Sequence, residues 1–567
     1  MAGEEEAARW WRGRRRRGRG PGGAAPLGPG LGLGLGLLLG GAARLGGARA
    51  QLPPPLCRYD QVNEIPSFPD RIGESDETAD NNLERRYTHS LDCVVPLPRA
   101  YQTPVKWPRS RDEIHAENVE MVGVLARKKA KQRWVTLDKD GKTARFPGGG
   151  THFTKGAEGY VDSIATAIQL LKRGGHMIRT ALDMGSGVAS FGDRFIEQYD
   201  VLTLSYSTLW QHQIQMALER GLPAFVNILK TKRLPLASQS FDLIHCSRCR
   251  QMVPGQQLIE VDRLLKPGGF IVNSNAYWKR RRNIKEARIA YMETLCYNKY
   301  AEFNSGYTIV FQKLHPSHCK REDAVPYCDT ELSHFELYGA TIKQCREPNP
   351  LVYMPHTWPL RKADPNVAAS GMTAQELKEA IARDTQVWDK RLADVDRNFQ
   401  LGITQSTACD GCPGNRANGN IRNVMHVNAK LGGFAAALHS QGMPFWVMNT
   451  VPTSEEDTLQ AINSRGFVGI YQDWCQDFPS YPRTYDLIYL EDFTVSLLCP
   501  KERLALELDR LLRPHAFLVV QADISTMEKY KAAFERVQWK REGRFTDGVT
   551  EYQLWKKPFY FSATPPV

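Results

Sequence analysis

The stretch IRTALDMGSGVASFGDRF (178–195) decides the fold class of this 567-residue chain. Its apolar run 180–184 ends in an acidic residue and glycines, which is typical of a buried parallel strand followed by a tight turn. Further strands are predicted at 201–206, 224–229, 241–246, 270–273, 300–303 and 307–313, and helices at 211–221, 258–266 and 285–296. Strands that alternate with helices indicate a parallel, doubly wound sheet.

The same pattern occurs twice in the chain. IRTALDMGSGVASFGDRF (178–195) aligns with IRNVMHVNAKLGGFAAAL (421–438), SFDLIHC (240–246) with TYDLIYL (484–490), and EVDRLLKPGGFIV (260–272) with ELDRLLRPHAFLV (507–519). The offsets between copies are 243, 244 and 247 residues, so order and spacing both hold. The sequence therefore predicts a tandem duplication of one α/β domain. A closing antiparallel hairpin, turned at Asn304-Ser305-Gly306, gives each copy the Rossmann-like class I methyltransferase arrangement.

The motif Asp183-Met184-Gly185-Ser186-Gly187 is the chemical signal in the first copy. Glycines after a first strand let the backbone approach a ligand closely. A dinucleotide fingerprint would have a third glycine where Ser190 stands, so the motif favours the methionine and ribose part of S-adenosylmethionine (SAM). Asp242, interpreted as the end of the fourth strand, is predicted to join this pocket. The predicted cofactor-binding residues are Asp183, Gly185, Gly187 and Asp242.

One feature of a SAM site is missing after the second strand. An acidic residue there normally binds the ribose, but 204–210 reads LSYSTLW. Either Ser205, Ser207 or Thr208 substitutes for it, or affinity is reduced.

The second copy lacks the cofactor motif. Its replacements are His426 for Asp183, Asn428 for Gly185, Lys430 for Gly187, and His515-Ala516 for Gly268-Gly269. Side chains would fill the cofactor space, so this copy is predicted to be degenerate, packing on the first or holding substrate.

The N-terminus is predicted to direct the chain into the secretory pathway. Seven arginines within 9–19 precede an uncharged stretch, 20–43, that is long enough to cross a bilayer. Arginines before this stretch favour a cytosolic tail and a luminal body. A cleaved signal peptide, with small residues at Ala48 and Ala50, and a disordered leader are the alternatives.

Charge and cysteine usage restrict the partners. The net charge is +12, but much of the excess positive charge lies in the leader, and the mildly basic remainder suits an acidic polysaccharide better than a nucleic acid.

The twelve cysteines include two CxxC pairs, Cys246/Cys249 and Cys409/Cys412. Neither pair has histidine at zinc-site spacing, so buried thiols or disulfides are favoured and no metal site is predicted.

Long stretches of 93–559 resemble one family, the plant SAM-dependent methyltransferases of the QUASIMODO type. The matching segments include WPRSRDEIHAENV (107–119), FPGGGTHF (146–153), QIQMALERGLPAF (213–225), PFWVMNTVPT (444–453) and GIYQDWCQDFPSYPRTYDLI (469–488). The resemblance implies a Golgi type II membrane protein that methylates pectin, with a glycosyltransferase complex as a possible partner. Endoplasmic reticulum residence and secretion are the alternative locations.

The chain departs from the family pattern at four places. The family has Cys at Ser186, an Ala-Pro-x-Asp sequence near 207–210, Asp at His426, and Ser-Gly-Pro-Pro at 273–276. The last two departures alter the predicted substrate mouth.

The predicted organisation comprises a basic tail (1–19), a signal-anchor (20–43), a stem (44–92), an N-terminal extension (93–177), a methyltransferase domain (178–345), a connecting segment (346–420) and a degenerate second domain (421–567).

A galacturonate carboxylate acceptor needs no general base, whereas a sugar hydroxyl would need His245 or His152 as the base. Arg248 and the basic run 279–282 either contact a uronate polymer or form a solvated face. A non-catalytic scaffold and a nucleic-acid methyltransferase are the alternative functions.

Overall fold

The computed structural model describes most of residues 93–347, 372–403, 421–493 and 500–559. Shorter gaps fall within 150–154, 173–177, 208–211, 228–231, 248–254, 276–281, 316–324 and 330–337. The predicted tail, anchor and nearly all of the stem lie outside these residues. Within the part of the chain that is described, no helix is long and apolar enough to cross a membrane.

An N-terminal extension precedes the first large sheet. Its strands are β1 (Glu113–His115), β2 (Thr136–Leu137) and β3 (Thr143–Arg145), then the small hairpin β4 (Leu171–Lys172) and β5 (Gly175–His176); its helices are α1 (Val122–Lys128) and α2 (Gly156–Ala167). The first three strands form a sheet in the order β1-β3-β2. Its apolar residues pack with Val188 and Met216, so the extension covers the side of the first domain that carries the glycine motif.

The first domain contains one seven-stranded sheet. The strands are β6 (Thr180–Met184), β7 (Leu202–Ser207), β8 (Ala224–Val226), β9 (Phe241–Ser247), β10 (Leu265–Ser274), β11 (Tyr297–Phe303) and β12 (Thr308–Lys313). The helices are α3 (Ser190–Tyr199), α4 (Gln213–Glu219), α5 (Gln256–Leu264) and α6 (Arg282–Thr294). The strand order is β11-β12-β10-β9-β6-β7-β8, parallel except for the final hairpin, which confirms the predicted class I arrangement.

One boundary in this domain differs from the sequence-based expectation. Helix α5 ends at Leu264, and β10 begins at once at Leu265. Pro267-Gly268-Gly269, which lie between the predicted helix 258–266 and the predicted strand 270–273, are instead inside β10, where the pairing with β9 shifts register between Leu265 and Phe270. The proline and the two glycines therefore interrupt the hydrogen-bond ladder between β9 and β10 without ending the strand.

The second domain repeats the sheet. Helix α7 (Ala374–Phe399) precedes it, followed by α8 (Gly433–Ser440), α9 (Leu459–Ser464), α10 (Lys501–Leu511) and α11 (Ile524–Arg536). The strands are β13 (Asn423–Val427), β14 (Trp446–Pro452), β15 (Gly469–Gln472), β16 (Tyr485–Glu491), β17 (Leu512–Asp523), β18 (Lys540–Thr546) and β19 (Thr550–Lys556). The order β15-β14-β13-β16-β17-β19-β18 matches the first sheet strand for strand, so the predicted duplication is confirmed.

The two domains contact each other through equivalent positions. The Val226 amide donates to the Pro479 carbonyl at 2.8 Å, and the Tyr471 amide donates to the Pro235 carbonyl at 2.9 Å. Val226 and Tyr471 occupy corresponding strand positions, as do the two prolines in their loops. One cluster of buried apolar residues continues through both sheets. The duplicated domains are thus packed with approximate two-fold symmetry around a shared core.

Candidate active site

The glycine motif forms a tight loop at the carboxyl end of β6. Gly185 and Gly187 have φ of 65° and 61°, a region that favours glycine. The amides of Gly185 and Ser186 donate to the Tyr206 carbonyl at 2.9 and 3.2 Å, which holds the loop against β7. A Cβ at Gly187 would lie 3.3 Å from the Trp134 ring and 3.5 Å from Gln213 Oε1. A side chain at Gly187 would therefore crowd Trp134 and Gln213.

Buried polar atoms without a hydrogen-bond partner gather around this loop. Within the described residues they are Asp183 Oδ2, Ser186 Oγ, Ser190 Oγ, Ser205 Oγ, Gln213 Nε2 and Trp134 Nε1. A buried polar group left unpaired costs about 1–3 kcal/mol, and native structures keep few of them. So many together indicate a polar ligand, and SAM offers matching groups in its ammonium, carboxylate, ribose hydroxyls and adenine. The residues that are present fit this cofactor.

Asp183 belongs to a buried chain of hydrogen bonds. It pairs in register with His245 of β9, and its Oδ1 lies 2.7 Å from His245 Nδ1. His245 Nε2 lies 3.0 Å from the Tyr160 hydroxyl, which lies 2.6 Å from Ser274 Oγ. Ser274 continues the chain to the Thr308 hydroxyl at 2.7 Å. Burial raises the pKa of Tyr160, so this hydroxyl stays protonated.

His245 is held in place on every side. The residue is 1% exposed, and its ring stacks on Phe191 at 3.9 Å between centroids. Both ring nitrogens are engaged, one by Asp183 and one by Tyr160. This geometry makes His245 a group that orients Asp183, and a general base would have to leave one of these bonds. The rival base His152 lies outside the described residues.

The basic residues predicted to meet a uronate polymer are only partly described. Arg248 and residues 279–281 lie outside the described residues. Arg282 begins α6, where its exposed side chain pairs with Glu286 at 3.2 Å. The structure thus brings Asp183, Gly185 and Gly187 together and places Arg282 on a solvated helix end.

The placement of Asp242 at the end of a strand was wrong. Asp242 is the second residue of β9, at the sheet edge opposite the glycine loop. Its Oδ2 accepts from the amides of Arg179 and Thr180 at 2.7 and 3.0 Å, and Oδ1 pairs with Lys266 at 2.6 Å. Burial alone would raise the pKa of Asp242, but Lys266 and Arg179 outweigh it and hold that pKa below its usual value. Asp242 therefore links the start of β9 to the start of β6 and to Lys266 of β10, and it is not available to the cofactor loop.

Three residues of the site were missed by sequence reasoning. Trp134 and Tyr160 come from the N-terminal extension, and Gln213 begins α4. The segment FPGGGTHF (146–153), which the family resemblance includes, lies between the first two, and this was the available signal that the extension contributes to the site.

The second domain fills the corresponding space with its own side chains. His426 stands in register with Tyr489, and Trp388 of α7 packs on both rings with centroids 5.0 Å apart. Lys430 reaches Glu491 at the end of β16, with Nζ and Oε1 2.6 Å apart. Burial would raise the pKa of Glu491, but His426, Lys430 and Arg391 hold it at about 2.

Six of the described cysteines, all between residues 93 and 345, are disulfide-bonded. Cys296 pairs with Cys319 and Cys328 with Cys345, and Cys93 and Cys246 are also disulfide-bonded. Cys246 belongs to the first CxxC pair, while Cys409/Cys412 lies outside the described residues. Among the residues that the structure describes, no group of three or more His, Cys, Asp or Glu is placed to hold a metal ion.

Comparison with known proteins points to one family. A family model described as "Putative S-adenosyl-L-methionine-dependent methyltransferase" matches residues 72–554. The chain is 34% identical to "Probable methyltransferase PMT8" of Arabidopsis thaliana over 489 residues, covering 81% of this chain and 73% of that protein. It is also 34% identical to "Probable pectin methyltransferase QUA3" of the same species over 502 residues, covering 82% and 79%.

Solved structures also match over part of the chain. A SAM-dependent methyltransferase from Aquifex aeolicus matches at 11% identity and a TM-score of 0.23, covering 31% of this chain and 97% of that one.

Proposed function

Because the chain belongs to this family of SAM-dependent methyltransferases, we propose that it methylates carboxylates of a pectin-type polysaccharide, homogalacturonan, in the Golgi lumen. The observation that supports a carboxylate acceptor is that both ring nitrogens of His245 already make hydrogen bonds. A uronate carboxylate, with a pKa of roughly 4, is ionised near neutral pH and is already a nucleophile. A sugar hydroxyl would need a base, and His245 keeps both nitrogens bonded. The relative named as a pectin methyltransferase supports the choice of polymer.

We assign cofactor binding to the first domain. Bound SAM supplies an electrophilic methyl group on a sulfonium. Gly185 and Gly187 leave room for the cofactor at the loop, and Asp183, oriented by His245, offers the unpaired Oδ2 to it. Ser205 pairs in register with Asp183 and has an unpaired hydroxyl on β7, so it takes the place of the acidic residue that is missing after this strand. Trp134 and Gln213 close the space over Gly187 and exclude water.

A luminal location agrees with the cysteine chemistry. Disulfides persist in secretory compartments and are rare in the cytosol. The described residues contain two complete disulfides and two further bonded cysteines. With the arginine-rich tail before 20–43, this supports a type II membrane protein whose catalytic body is luminal.

Labelled SAM with de-esterified homogalacturonan tests the proposal. Alkali-labile label on the polymer would identify a methyl ester, and added salt should lower the rate because charge attraction is screened over roughly 10 Å at 0.1 M. His245→Gln should retain transfer within about tenfold, as expected for a lost positioning bond of about 1.4 kcal/mol. Alkali-stable label with a large loss in His245→Gln would contradict a carboxylate acceptor.

A methyltransferase-like scaffold in a polysaccharide-synthesis complex is the second candidate. The lack of an acidic residue in the segment after β7 favours it, since ribose binding is weaker without one. Calorimetry of the luminal body with SAM separates the two functions. Absence of both binding and transfer would decide for the scaffold, and transfer to a nucleic acid would decide against both.

A further inference from the structure

Arg422 is a buried cation at the junction of the two domains. It directly precedes β13 and is 6% exposed. Its guanidinium carbon lies 3.8 Å from the centroid of the Trp107 ring, and its amide donates to Asp486 at 2.9 Å. Across the described residues, its guanidinium makes no hydrogen bond or ion pair, and Nε is buried without an acceptor. A buried charge without a partner is costly, so this position calls for an anion.

The equivalent arginine of the first domain has a partner. Arg179 precedes β6 as Arg422 precedes β13, and it donates to the Ser464 carbonyl across the junction at 2.9 Å. Approximate two-fold symmetry is therefore broken at this pair.

The acidic side chains whose charges act most strongly on Arg422, Asp193 and Asp486, are already engaged by other arginines. Asp193 pairs with Arg111 at 2.8 Å and with Arg220 at 2.9 Å. Asp486 pairs with Arg513, which also contacts Glu219 at 3.4 Å. Burial, reinforced by the charge of Arg111, lowers the pKa of Arg422 to about 9, so the group is still charged near neutral pH.

Two cavities meet at Arg422 and Trp107. The larger is about 220 Å³ and the smaller about 190 Å³. The wall of the larger cavity is mainly apolar and includes Ile196, Leu202, Met443, Phe445, Trp446 and Phe467. Leu202 and Trp446 begin β7 and β14, so this cavity lies at the edge opposite the glycine loop.

We propose that the larger cavity binds a small organic monocarboxylate whose carboxylate contacts Arg422 and whose ring or apolar body packs against Trp107 and Trp446. Glu197 and Asp200 also line the cavity and disfavour ligands with further negative charges. The ligand would contact both domains, because Leu202 belongs to the first and Trp446 to the second. Its binding stabilises their junction and is separate from methyl transfer.

Thermal unfolding of the whole luminal chain with added benzoate or D-galacturonate tests this site. Benzyl alcohol and galactose are the uncharged matches, and sodium chloride controls for ionic strength. The wild-type chain should gain a saturable rise in Tm of about 2 °C at a hundredfold excess over Kd with at least one carboxylate. No saturable rise with either carboxylate, or an equal rise with its uncharged match, would overturn the proposal.

Matched variants locate the effect. Arg422→Met should abolish the ligand-dependent rise, and because it removes an unpaired buried charge, it should not lower the Tm of the ligand-free chain. Arg179→Met should lower that Tm but keep the rise. Ala435→Leu narrows the same cavity and leaves Arg422 in the sequence, so it should also abolish the rise. This variant tests the site if Arg422→Met does not fold. A rise that persists in Ala435→Leu and Arg422→Met would refute the site.

Discussion

The two domains place different chemistry at the same pair of strand positions. In the first, Asp183 faces His245 and keeps one carboxylate oxygen unpaired beside an open glycine loop. In the second, His426 faces Tyr489, and the space above them is occupied by Trp388. The same sheet thus forms with either set of side chains at its carboxyl edge. Whether the domain can bind the cofactor depends on a few residues there.

At the opposite edge the two domains are alike. Asp242 and Asp486 each accept from two amides at the start of the neighbouring strand, β6 or β13. Glu260 pairs with Arg263 and Glu507 with Arg510, and each glutamate also accepts a loop amide. Because the copy that lost the cofactor motif keeps these contacts, they serve the fold rather than the chemistry.

The largest effect on SAM affinity is expected from giving the first domain the loop residue of the second. Gly187→Lys should weaken SAM binding by more than about 100-fold, or about 2.7 kcal/mol, because the side chain enters the space under Trp134 and Gln213. Backbone strain alone does not explain such a loss, since Lys430 adopts φ of 45° at the equivalent position. Calorimetry with SAM measures it.

Lys430→Gly is the matched control for this change. It should leave SAM affinity unchanged, because the second domain offers no open pocket beneath it. Equal losses from both substitutions would remove the division of roles between the domains.

A second prediction tests whether Trp388 only fills the second domain or whether this domain also binds the cofactor. Trp388→Ala should lower the free energy of unfolding by about 3–5 kcal/mol, because a buried indole that packs on His426 and Tyr489 is replaced by a cavity. SAM affinity, measured on the folded fraction at low temperature, should stay at the wild-type value. A specific fall in affinity would mean that the second domain also binds the cofactor.

A third, smaller effect concerns the edge that the domains share. Asp242→Asn and Asp486→Asn should each cost about 3 kcal/mol of stability, since each removes the carboxylate that pairs most closely with a buried cation, Lys266 or Arg513. Chemical denaturation measures both. A loss of SAM affinity in folded Asp242→Asn, without a parallel in Asp486→Asn, would return Asp242 to the cofactor site.

The sequence predicted most of the fold because both copies carry the same apolar runs and turn residues. Repetition also made the degenerate loop visible, since His426 and Lys430 align with Asp183 and Gly187. The same alignment contained the information that Asp242 is structural, because Asp486 persists where the cofactor motif is lost.

Long-range packing is what the sequence did not reveal. Tyr160 and Phe191 enclose His245 from segments 85 and 54 residues away in the chain, and neither contact follows from local periodicity. Trp134 covers Gly187 from a separate small sheet for the same reason. Such contacts depend on how the extension packs on the domain.

The smallest expected effect is a pH dependence at a strand position where only the second domain has an acidic residue. The pKa of Glu491 is held at about 2 in the folded chain, against about 4.3 for an unfolded glutamate. A lowered folded-state pKa contributes stability that is present above the unfolded value and is lost as the pH falls through the folded one. We therefore expect Glu491→Gln to cost on the order of 2 kcal/mol at pH 6–7, and progressively less between pH 4.5 and pH 2. Lys430 is half exposed, so water screens its share of this coupling.

The first domain provides the contrast for this titration, because Ser247 stands where Glu491 does. Ser247→Ala should show no such pH dependence, since a serine hydroxyl does not ionise in this range. The measurement is urea denaturation of both variants from pH 3 to pH 7, with wild type in parallel. If the stability difference between wild type and Glu491→Gln is the same at every pH, then the contacts with Lys430 and His426 do not lower the pKa of Glu491. The side chains at the carboxyl edge of the second domain would in that case stabilise it by packing and not by ion pairing.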